Sequence, residues 1–317
     1  MKKFDFNTIN LKPKKCIVDS RSECNTSTKF GKHIFNIPVV PANMECVINE
    51  ELAIELAKNG YFYILHRFDV NQLQFIKKMN SLNLISSISI GVNEDSYQLI
   101  DDILSNNLNL DYVTIDIAHG HSIKMEKMLA YLNDKLPNTF KIAGNISTVE
   151  AVEDLTNWGA DALKVGVAPG FSCTTYPATG YGSRNCQAAT IYECAIASKL
   201  PIIADGGIRE PGDISKSIVL GASMVMVGGM LSGFKDSPGC VINASDGKKY
   251  KEYWGSASAF QSGKKNRIEG ERNLIELKDK TILEELVYLE ECLQSSISYG
   301  GGKDLECLNS VEWFLTK

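Results

Sequence analysis

The apolar residues of this chain fall into short, regularly spaced runs separated by segments with a helical rhythm. Runs at 37–40, 61–65, 85–90, 112–117, 140–143, 162–165, 201–204 and 223–227 have the length of strands. Between them, segments 51–58, 72–79, 96–104, 123–132, 149–158, 188–199 and 214–220 read as helices. Leu52, Leu56 and Ala57 line one helical face, as do Leu99, Ile103 and Leu104. Ser147 or Thr148 can start one helix with Glu150 nearby, and Pro211 suits a first turn. Eight strand–helix repeats predict an α/β fold, a parallel (β/α)8 TIM barrel over residues 1–317 as a single domain.

One connection breaks the rhythm. Strand-to-helix loops usually hold two to six residues, and the one after the run at 162–165 holds about twenty. This segment, about 166–187, carries Gly166, Gly170, Gly180 and Gly182, which let the backbone approach a ligand closely. Cys173, Thr174 and Thr175 sit at its middle, which marks it as the active-site loop.

Barrel active sites lie at the C-terminal ends of the strands. The residues expected there are polar: Asn43 and Glu45, His66 and Arg67, Asp116 and His119, Gly144 and Asn145, the Cys173 loop, Asp205 to Gly207, then Gly228 and Gly229. After the eighth run, residues 236–273 are too charged and glycine-rich to form core and read as a mobile C-terminal flap. A last amphipathic helix is expected at about 282–293, while the first thirty-odd residues, poor in apolar clusters, are expected to wrap the outside.

Composition narrows the partners. A net charge of -5 offers no general footprint for nucleic acid. No apolar run reaches the roughly 18 residues of a membrane span, and the N-terminus lacks a signal-peptide core, so a soluble cytoplasmic protein is expected. Nine dispersed cysteines without a C-x-x-C pair suit free thiols in a reducing compartment.

Each candidate site competes with a plainer explanation. The glycine pairs Gly206-Gly207 and Gly228-Gly229 could be tight turns, yet two pairs at adjacent strand ends favour a phosphate cradle. Cys173 could be an inert small hydrophobe or a nucleophile, and flanking glycines favour the second. His119-Gly120-His121 could ligate a metal, but only four histidines occur and none follows His121, so polar support roles suit them better. Glu269, among flap charges, reads by composition as a solvated carboxylate.

Several segments in order, CIVDSRSEC from Cys16, PVVPANM from Pro38, YFYILHRF from Tyr61, TIDIAHGHS from Thr114, IAGN from Ile142, GFSCTT from Gly170, IIADGGIR from Ile202, MVMVGG from Met224, KEYWGSAS from Lys251 and SSISYGGG from Ser295, resemble the IMP dehydrogenase and GMP reductase family. The likeness is strongest to its short bacterial reductases. It implies that Cys173 attacks C2 of a purine nucleotide, and that Thr175 and Glu269 protonate the departing amine. It also implies nucleotide contacts from Gly170, Ser172, Asp205, Gly206, Gly207, Gly228, Gly229, Gly255, Ser256 and Gly270. Ser20, Arg21, Arg67 and Asp116 would meet NADPH, with Tyr299 and Gly300 reaching from a neighbouring subunit of a homotetramer. K+ could rest on the carbonyls of Gly170 and Cys173. The chain departs from the family pattern at Ala168, Phe171 and Tyr176. No regulatory insert separates the second and third runs, and no Arg–Tyr dipeptide occurs in the flap. Both point to reductive deamination of GMP to IMP and ammonia. A compact dehydrogenase, a metal-dependent barrel hydrolase and a non-catalytic nucleotide-binding barrel are the alternatives.

Overall fold

The computed structural model describes residues 3–170, 173, 175–245, 247–255 and 272–316. Seven parallel strands form one curled sheet in the spatial order Val39–Pro41, Met224–Val227, Ile202–Asp205, Ala162–Val165, Phe140–Ile146, Tyr112–Asp116 and Ser87–Ile90. The remaining expected strand, 61–65, joins through Leu65 alone: its N–H donates to Ser87 O at 3.1 Å, and Ser89 N–H donates to Leu65 O at 2.8 Å. The architecture is the (β/α)8 barrel, with the first and last strands side by side.

Alternation along the strands sorts side chains into two cores. Val40, Phe62, Ile64, Tyr112, Ile142, Ala162, Ile203 and Met226 fill the barrel, whereas Val113, Ile115, Leu163, Val165, Ala204 and Val225 pack outward under the helices. A hairpin of Thr28–Phe30 and His33–Phe35 plugs the N-terminal end. Phe30 packs on Phe62 with ring centroids 5.3 Å apart, and Tyr112 Oη donates to Phe30 O at 2.6 Å.

The helices start where short polar side chains can cap them. Asn49, Asn71, Ser122 and Thr148 each accept a first-turn N–H, which settles Thr148 over Ser147, and Pro211 does open its helix. The last helix runs further than expected, Ile282–Tyr299, because Leu293 and Ile297 continue its buried stripe past the polar Ser295-Ser296.

Two expectations need correction. The N-terminal segment does more than wrap the surface: Ile9–Leu11 pairs antiparallel with Trp313–Leu315, and Phe4 and Phe6 are buried. In the flap region, Val241–Asn243, Lys249–Trp254 and Arg272–Glu276 form an antiparallel sheet with Lys251, Glu252, Tyr253 and Trp254 buried. Charge did not exclude burial because Lys251 Nζ donates to the carbonyls of Lys235, at 3.2 Å, and Ser237. The flap residues 256–271 lie outside the described residues.

Candidate functional site

A cleft of about 1070 Å³ opens at the C-terminal ends of the strands. The long loop enters it through Gly166, whose φ of +156° and close approach admit no side chain: a Cβ there would stand 1.9 Å from Asp205 O. Within the stretch expected to be loop, Thr175–Thr179 forms a short helix. Cys173, half-buried, donates its backbone N–H to Gly170 O at 3.2 Å, and its Sγ lies 3.4 Å from Thr175 Oγ1. A thiol beside a hydroxyl in a cleft has the chemistry to attack an electrophile and to pass a proton.

The cleft also gathers Gly170, Asp205, both glycine pairs, Arg67 and Asp116. Gly228 leaves room for Tyr253, reaching in from the antiparallel sheet, whose Oη would stand 2.6 Å from a Cβ there. That contact ties the base of the flap to the barrel mouth. Ile275 and Lys278 reach the cleft from the same side.

The charged floor of the cleft was not foreseen. Lys164, 2 % exposed, stands in the middle of the run Ala162–Val165, which reads as apolar. Its Nζ lies 2.7 Å from Asp116 Oδ1 and 2.6 Å from Asp205 Oδ2, and it also donates to Asn145 Oδ1. Burial opposes the ammonium charge, but the two carboxylates outweigh it and raise the Lys164 pKa above its ordinary value. Asp116 is likewise pushed up by burial yet pulled further down by Lys164, by Arg67 and by the amide of Asn43, 3.0 Å away. Asn145 Nδ2 donates to Asp205 Oδ2 at 2.8 Å and to Gly166 O at 2.7 Å, fixing the loop entrance to the same cluster. A lone lysine inside an apolar strand was the available signal.

Other expected residues lie elsewhere. Arg21 and Tyr299 line a separate cleft of about 390 Å³, where the Arg21 guanidinium sits 5.7 Å from the Tyr299 ring centre. Ser20 caps the turn Arg21–Glu23 beside it, and Gly300 is buried against Cys307. Within one chain, these residues are not brought to Arg67 and Asp116. Gly255 directly follows the strand Lys249–Trp254 and does not line the large cleft. Ser172, Ser256, Glu269 and Gly270 lie outside the described residues. His121 Nε2 is 2.7 Å from Asp154 Oδ2, and among the described residues no cluster of metal-ligating side chains occurs. No helix among them is long and apolar enough to cross a membrane.

Fold and site together define an α/β-barrel protein with a cysteine-bearing loop over a charged, glycine-rimmed cleft. The chain belongs to the IMP dehydrogenase / GMP reductase family, whose domain description matches residues 3–316. It is 51% identical over 315 residues to a GMP reductase of Bacillus subtilis, covering 99% of this chain and 96% of that one. A GMP reductase of Enterococcus faecalis is 51% identical over 318 residues, covering 100% and 97%, and one of Lactobacillus delbrueckii subsp. bulgaricus 50% over 318 residues, covering 100% and 96%.

Proposed function

We propose that this chain is an oxidoreductase of the GMP reductase type, in which GMP, NADPH and protons give IMP, ammonia and NADP+. The observation that carries the reading is the full-length likeness, at about half of all positions, to proteins named GMP reductase. The cleft fits such ligands. Its 1070 Å³ lies just above the roughly 300–1,000 Å³ of ordinary ligand sites, enough for a second ring beside a nucleotide base.

In this reading the glycine pairs leave backbone N–H groups open to the phosphate, and Asp205 takes the ribose hydroxyls. Cys173 Sγ attacks C2 of the purine, and the amine leaves as ammonia with a proton passed through Thr175, the Cys173–C2 bond holding the base as a thioimidate. Glu269 is the proposed source of that proton. NADPH, when bound, supplies the hydride that C2 accepts as the sulfur departs. Arg67 and Asp116 orient the nicotinamide end from within the cleft, while Ser20, Arg21, Tyr299 and Gly300 of a neighbouring copy meet the far end, in a homotetramer. That assignment accounts for a separate cleft lined by Arg21 and Tyr299. K+ on the carbonyls of Gly170 and Cys173 belongs to the same proposal: Gly170 O accepts one hydrogen bond, from Cys173 N–H, and keeps a second lone pair.

The test is absorbance at 340 nm after mixing protein, GMP and NADPH, beside a reaction of IMP and NAD+. A fall in the first with stoichiometric ammonia is the expected result. No change there and a rise in the second would overturn it in favour of dehydrogenation.

A further inference from the structure

Two carboxylates at the floor of one cleft pose an electrostatic problem. Side chains of Asp116 and Asp205 are each only 16% exposed, and a pair so placed would ordinarily keep one proton between them. We propose that Lys164 is a positioning residue that ties Asp116 and Asp205 into one charge-balanced cluster and aims the free oxygen of Asp205 at the substrate. The role rests on the reading of the cleft as a purine nucleotide site, with Asp205 on the nucleotide and Asp116 on the cofactor side.

The geometry is specific. An ammonium has three N–H donors, and Lys164 spends them on Asp116 Oδ1, Asp205 Oδ2 and Asn145 Oδ1, acceptors from three different strands. Asp116 Oδ2 accepts from Asn43, and Asp205 Oδ2 accepts a second bond from Asn145, so both carboxylates are locked in rotation. Asp205 Oδ1 has no partner among the described residues, which leaves it to face ligand hydroxyls. The backbone is shaped around the lysine: a Cβ on Gly144 would stand 2.6 Å from Lys164 Cβ. Other charged or titratable groups facing the cluster are Arg67, which acts on Asp116, and the buried Tyr253, which feels Asp205.

The experiment is calorimetric titration of GMP across pH, which needs no turnover. The wild type is the reference at each pH between about 5 and 8, so that the second ionisation of the GMP phosphate, at about pH 6, is common to every protein compared. Lys164→Met should bind about tenfold or more weakly at the acid end, with an acid limb displaced upward by the proton the pair now retains. The double variant Lys164→Met with Asp116→Asn has no repelling pair, so its limb should vanish and its GMP affinity should return most of the way. Should the single variant lose its cooperative melt, the double variant should regain it. A methionine variant matching the wild type at every pH would overturn this role while leaving the GMP site intact. So would a double variant as weak or as unfolded as the single, because the lysine would then serve packing alone. Wild-type protein that binds no GMP would instead remove the nucleotide reading, and this role with it.

Discussion

Cys173 and Thr175 stand close enough for sulfur and hydroxyl to share a proton, and the hydroxyl can relay one without leaving the loop. Replacing Cys173 by alanine should leave GMP binding within a few-fold and abolish turnover, read by calorimetry beside the 340 nm assay; appreciable remaining turnover would refute a covalent route. A second residue-scale effect concerns stability. His66 is 3% exposed, and burial lowers its pKa to about 4, against a smaller opposing effect of Asp69. Between the ordinary value of 6.5 and about 4 the unfolded chain binds a proton that the folded one refuses. The stabilisation is therefore full above 6.5 and is lost as pH falls, by up to about 3 kcal/mol. Urea unfolding at pH 7 and near pH 4.5, compared with His66→Gln, should show that loss in the wild type and much less in the variant. Cys173 was legible at this scale because glycines surround it, whereas Lys164 was hidden. A residue's polarity does not reveal where the two carboxylates that neutralise it will come from.

At the scale of elements, what matters is how closely the strands Phe140–Ile146 and Ala162–Val165 approach. Their register puts Gly144 beside Lys164, and the missing Cβ gives the lysine its path to the cleft floor. Gly144→Ala should cost about 1–3 kcal/mol through overpacking, and should weaken GMP binding by displacing Lys164. Thermal melts and calorimetry read the two effects, and a variant with unchanged melting and affinity would show that the strands yield freely. The helices were readable from caps and stripes because those signals are local. The sheet of Val241–Asn243, Lys249–Trp254 and Arg272–Glu276 was not, since its apolar face exists only once Tyr253 and Trp254 meet the barrel rim. Counting charges there overestimated exposure, because Lys251 is satisfied by carbonyls brought from another part of the chain.

For the molecule as a whole, the separation of the two clefts has a consequence. If Arg21 and Tyr299 serve a neighbouring copy, the protein in solution should have a mass four times that of its 34.9 kDa chain, and Tyr299→Ala should raise the KM for NADPH with little change in GMP affinity. Light scattering and steady-state kinetics check both; a monomer with full activity would rule the arrangement out. The termini also act at this scale. Antiparallel pairing of Ile9–Leu11 with Trp313–Leu315 joins the two ends across the barrel's outside, with Phe4 packed at a tilt against Trp313, 5.0 Å between ring centres.

Eight apolar runs at barrel spacing, seven helical stripes between them and one overlong glycine-rich connection were enough to determine the fold class, the end of the barrel that carries the cleft and the loop that brings Cys173 to it. These follow from periodicity and turn chemistry, which act between residues near one another in the chain. The ionic floor of the cleft, the hairpin plug, the ordered base of the flap and the placement of Arg21 away from Arg67 were decided only by tertiary structure. Each depends on groups far apart in sequence meeting in a low-dielectric interior, where a charge or an aromatic face takes its meaning from its partner.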